Sequence, residues 1–91
     1  MNATIKAIKE QVSAIVEFKV YSYEELEAAY DSIHARIEKG IENMEQANEP
    51  VQIFSDSEIN NVYTYAMEIL GDRYRNAKSD IIEHKRASFE F

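Results

Sequence analysis

SYEELEAAYDSIHARIEKGIENMEQANEP, residues 22–50, contains what a long amphipathic helix needs: a cap, two dozen residues at helical spacing and a stop. Ser22 with Glu25 forms a capping box. The hydroxyl accepts from the amide three residues on, and the carboxylate reaches back to the Ser22 amide. Leu26, Tyr30, Ile33, Ile37, Ile41 and Met44 then recur at 4-3-4-4-3 spacing, the seam of a helix that packs on another helix. Asn48-Glu49-Pro50 ends it, because proline cannot continue the hydrogen-bond ladder. The spacing predicts a helix over 23–47.

The same stretch carries a second pattern. Glu24, Glu27, Asp31, Glu38, Glu42, Glu45 and Glu49 fall within an arc of about 60° at about 3.6 residues per turn. That arc is centred about 120° from the apolar seam, and no lysine or arginine interrupts it. Pairs such as Glu27/Asp31, Glu38/Glu42 and Glu45/Glu49 set like charges at i,i+4, each costing about 0.2–0.5 kcal/mol. A run of like charge is most often a solvated face that keeps a small protein in solution. The alternative is a surface shaped for a positively charged partner.

On either side the chain continues in helical register. Ile5, Ile8, Val12, Ile15 and Val16 mark one face of a first helix over 3–17. Phe18-Lys19-Val20-Tyr21, β-branched and aromatic, reads as a short extended linker. Val51-Gln52-Ile53-Phe54 connects the second helix to the third, with apolar side chains expected to tuck onto the core. Ser55-Asp56-Ser57-Glu58 is a second capping box. Ile59, Val62, Tyr63, Ala66, Ile69, Leu70, Tyr74, Ala77 and Ile81 extend a third helix over 56–86, which Gly71 is expected to bend. The tail from Ala87 to Phe91 is expected to fray or dock elsewhere.

Two long helices joined by a short turn pack antiparallel, and the shorter first helix covers their groove. The expected fold is all-α: one domain over 1–91, a three-helix antiparallel bundle dominated by a long helical hairpin. The first helix is about four turns shorter than the third, which leaves part of the seam open as a candidate homodimer surface.

Composition limits the function. The hydrophobic share of 45% fits a folded chain and not an acidic disordered tail. Cysteine is absent, which removes disulfides and thiol catalysis. No leader-like or membrane-length apolar segment is evident, so a cytoplasmic protein is expected. Net charge is −7, and residues 20–49 hold eight acids against Arg36 and Lys39 alone. Such a chain is repelled by nucleic acid and anionic membrane and attracted to basic protein.

Glycine-rich phosphate loops and the GxSxG and HExxH motifs are missing. Asp31 with His34, and Asp80 and Glu83 with His84, place carboxylates near imidazoles, but they do not reproduce the paired Glu-x-x-His sets of dimetal bundles. Neither a catalytic residue nor a metal or other cofactor is assigned. Tyr30, Tyr63 and Tyr74 read as core residues with wet hydroxyls, whereas Tyr21, Tyr23 and Tyr65 read as exposed. Arg73, Arg75, Lys78, Lys85 and Arg86 are expected to serve a helix terminus or pair with a neighbouring helix's acids, not to bind nucleic acid.

The sequence therefore points to a non-catalytic protein that binds a basic partner through the seven carboxylates, with Tyr23 as an anchor. Carboxylates one turn apart lie about 5–6 Å from one another. A rigid helix so spaced resembles a strand of phosphates and can occupy a nucleic-acid-binding cleft. By physical type this is the design of nucleic-acid mimics, many of them small inhibitors carried by phages and mobile elements. The alternative is an adaptor bundle that dimerises or holds a partner helix through its apolar seam.

Overall fold

The computed structural model describes the backbone of residues 3–89 and the side chains of 4–85. Three helices follow in order: α1 (Ala3–Ile15), α2 (Tyr23–Gln46) and α3 (Asp56–Phe89). They form an all-α antiparallel bundle of 62 × 23 × 16 Å in which α2 and α3 make the principal contact.

The direction of each helix follows from its core partners. Ile5 clusters with Met44, Phe54, Ile59 and Val62 at one end of the bundle. Val16 joins Ile33, Ile37, Ala66 and Leu70 further along. So α1 runs parallel to α3 and antiparallel to α2. Leu26, Leu70, Val16 and Val62 are the largest fully buried side chains. Burial of each leucine or valine contributes about 1.5–3 kcal/mol. No polar side chain is buried among the described residues.

One capping box forms in full and the other in half. Ser22 Oγ accepts from the Glu25 amide at 3.2 Å, but the Glu25 carboxylate accepts from the Tyr21 amide at 3.4 Å, one residue earlier than the sequence suggests. At the start of α3 the exchange is reciprocal: Glu58 N–H donates to Ser55 Oγ at 3.1 Å, and Ser55 N–H to Glu58 Oε1 at 3.0 Å.

Four expectations need correction. First, α1 stops at Ile15, because Arg73 of α3 crosses to its end. Its guanidinium donates to the carbonyls of Ser13 and Val16, the latter at 2.5 Å, and to Ser13 Oγ at 3.0 Å. The last turn of α1 holds no base of its own, so Arg73 supplies the cation that a helix C-terminus favours.

Second, the seam beyond α1 is covered in part, and Ile81 there is buried. The linker after Val16 runs along α3, with Phe18 edge-on to Tyr74 at 6.3 Å and Phe18, Val20 and Tyr21 beside Ile81 and His84. Third, of the second connection only Phe54 is buried; Val51 and Ile53 are 70% and 60% exposed. The side chain of Asn48 organises that loop. It accepts from the amides of Ile53 and Phe54 at 2.9 and 2.7 Å and donates to the Phe54 carbonyl at 2.8 Å. The Glu49–Pro50 peptide is cis.

Fourth, α3 continues to Phe89, past the end at 86 that the spacing predicts, and is continuous through Gly71. The remainder of the predicted tail, residues 90–91, lies outside the described residues.

Candidate functional site

The carboxylates take their positions from α2. Glu24, Glu27, Asp31, Glu38, Glu42 and Glu45 all lie on that helix and all are exposed. At 1.5 Å per residue, Glu24 and Glu45 are about 32 Å apart along the axis. Glu49 is also exposed but lies past the helix end at Gln46. The amides of Asn48 and Glu49 bond to the carbonyls of Glu45 and Gln46, each at 3.2 Å. Its place is set by this turn and by Asn48, not by helical periodicity.

The face is largely left to solvent. Lys39 Nζ lies 3.7 Å from Glu42 Oε1, and His34 Nδ1 lies 3.4 Å from Glu38 Oε1. Both partners belong to α2 itself. Exposed pairs of this kind are worth about 0–1 kcal/mol. Gln46 Nε2 donates to Glu42 at 3.2 Å. Among the described residues no lysine or arginine of α1 or α3 forms an ion pair with the row.

The reason is visible in what those bases do instead. Arg73 holds the end of α1. Arg75 pairs with Asp72 one turn away on its own helix. Lys9 sits over the Tyr65 ring at 5.4 Å, and Lys85 over the Tyr23 ring at 4.5 Å. Tyr23, the expected anchor, thus has one face of its ring taken by a cation–π contact.

One feature that the sequence reading missed flanks the acids. The Tyr74 hydroxyl of α3 donates to Glu27 Oε1. Tyr74 meets Tyr30 edge-on at 5.1 Å, and Tyr30 stacks on His34 at 6.1 Å, whose ring reaches Glu38. An aromatic row therefore runs beside the carboxylates between α2 and α3. The Glu27 hydrogen bond, then partial burial, then the nearby negative charge hold the Tyr74 phenol above its ordinary value of 10.0. Tyr63 stands three turns earlier on the same edge of α3 and is 38% exposed, not a core residue as expected. It lines a depression with Ile41, Glu45 and Asp56. Of the tyrosines expected to be exposed, Tyr21 is 80% so, while Tyr65 is half-buried. The eleven-residue spacing of Tyr63 and Tyr74 was the signal available in the sequence. It does not say which side of the third helix faces α2.

No group of three or more histidines, cysteines or acids that could hold a metal ion occurs among the described residues. No helix among them is long and apolar enough to cross a membrane. Compared with known families, characterised proteins and solved structures, the chain matches none.

Proposed function

We propose that this chain is a non-catalytic binding protein whose α2 carboxylates engage a basic protein surface, in the manner of a nucleic-acid mimic. The observation that carries the reading is the exposed row itself: six acids on one rigid helix, with no cation from α1 or α3 paired to it among the described residues. Like charges one turn apart along α2 raise the free energy of the isolated monomer. A partner presenting lysines and arginines lowers it. Carboxylates about 5–6 Å apart suit a groove that otherwise receives phosphates. The tyrosine edge formed by Tyr63 and Tyr74 adds the amphipathic rings in which protein interfaces are enriched. The partner implied is a nucleic-acid-binding protein, and the effect on it is exclusion of its polyanion. A small inhibitor of the phage or mobile-element kind would work in this way.

The test is charge reversal. Glu38, Glu42 and Glu45 replaced together by lysine should abolish capture of the partner from a lysate at low salt, with helicity by circular dichroism unchanged. Undiminished capture by the reversed variant would remove the proposal.

The adaptor reading draws on Val51 and Ile53, exposed at the hairpin turn, as an apolar contact for a second copy or a partner helix. Ionic strength separates the two, because apolar assembly persists or strengthens in high salt.

A further inference from the structure

A depression of about 320 Å³ opens between α1 and α2, on ground that the acidic face does not touch. Val12 and Ile15 form one wall, Ile37 and Met44 the other, and Val62 and Ala66 of α3 the floor. Its size and apolar lining fall at the small end of ligand pockets, which run from about 300 Å³ upward.

Two further observations indicate what fits. The first is Gly40, in the α2 wall. A Cβ built there meets nothing within 4 Å, so no close approach within the chain explains glycine at this position. Its missing side chain widens the groove. The second is charge. Arg36 is the one charged side chain lining the depression, and Gln11 and Asn43 are its other polar side chains. It forms no ion pair among the described residues, although the chain has 17 acids. Four other depressions each include a carboxylate: Glu17 and Asp80, Asp80 again, Glu45 with Asp56, and Glu68. This one has none.

From this complementarity we infer that the α1–α2 groove binds a single-chain amphiphile with an anionic, carboxylate-type head. The alkyl chain lies along the isoleucine and valine walls and over Gly40. The head meets the Arg36 guanidinium, which suits a carboxylate bidentately. The inference stands apart from the partner proposed for the acidic face.

The probe is decanoate, with 1-decanol and decyltrimethylammonium as neutral and cationic counterparts, followed on the methyl NMR signals of Val12, Ile37 and Val62. Decanoate should shift these signals saturably and bind about tenfold tighter than the alcohol, the scale of one charge-assisted contact. The cation should be weaker still. Arg36→Gln should bring decanoate down to the level of decanol and leave decanol unchanged. Gly40→Leu, which fills the open space, should weaken both at least about tenfold while helicity is retained. No saturable shift in the unaltered protein overturns the inference. So does cation binding as tight as decanoate, or Arg36→Gln without effect. Chain binding that survives Gly40→Leu places the ligand elsewhere and also overturns it.

Discussion

If the acids of α2 are uncompensated by the fold, reversing one of them should stabilise the protein. Glu45→Lys is the sharpest case. Glu45 lies in the last turn of α2, which contains no basic residue, where a carboxylate opposes the helix dipole. A lysine there interacts favourably with the terminal carbonyls, worth about 0.3–1 kcal/mol. Glu42 is one turn back, so a like-charge neighbour becomes an ion pair, worth about 0.2–0.5 kcal/mol. Asp56 shares a depression with Glu45 and adds to the same sign. The backbone bond from the Asn48 amide to the Glu45 carbonyl is untouched by the change. The sum is about 0.5–1.5 kcal/mol, a rise in Tm of about 2–12 °C for a domain of this size. Urea and thermal unfolding by circular dichroism measure it. The gain should shrink in 1 M salt, where the Debye length falls to about 3 Å. Unchanged or reduced stability at low salt would mean that a cation already neutralises Glu45, and the reasoning about the whole face would fail with it.

Three other expectations can be checked on the isolated protein. Arg73→Met removes the cation and donors from the end of α1 and should destabilise by about 1.5–3 kcal/mol, the range for hydrogen bonds to a charged group. Amide exchange should quicken first at Val16 and Glu17, Arg73→Lys should recover part of the loss, and a change under about 0.5 kcal/mol in urea would contradict the assignment. Gly40→Ala should stabilise by about 0.5–1 kcal/mol, since a Cβ there meets no neighbour; destabilisation would show the position to be crowded. In an ultraviolet titration one phenol should ionise above the ordinary 10.0 and vanish in Tyr74→Phe. Because folding raises that pKa, its contribution is complete below the unfolded value and is lost as pH climbs through the folded one. A titration of Tyr74→Phe indistinguishable from the original would refute the Glu27 bond.

Local signals in the sequence were largely readable. Ser22 and the Ser55/Glu58 pair cap where their spacing says they should, because a capping box is complete within four residues; only the Glu25 carboxylate departs, taking the Tyr21 amide. The apolar rows of α2 and α3 likewise foretell the hairpin. What escaped depends on residues far apart in sequence. Arg73 reaches back 60 and 57 residues to Ser13 and Val16, and Tyr74 reaches 47 to Glu27. Helical spacing cannot foretell such pairings, because it gives a face but not its neighbour. The same limit explains Tyr63, counted with the core by its position in the repeat yet placed at the edge of the seam. Asn48 was legible only as part of a helix stop. Its hold on Ile53 and Phe54 fixes the loop, leaves Val51 and Ile53 in solvent and takes Glu49 out of helical register.

The most direct measurement of the central claim is salt-graded release of the partner captured on the immobilised protein, with double-stranded DNA as competitor. A carboxylate face in a phosphate-binding groove predicts release within a few hundred millimolar salt, as the Debye length drops below about 8 Å, and displacement by the DNA. A partner held through 1 M salt and indifferent to DNA would contradict it and assign the contact to apolar surface instead.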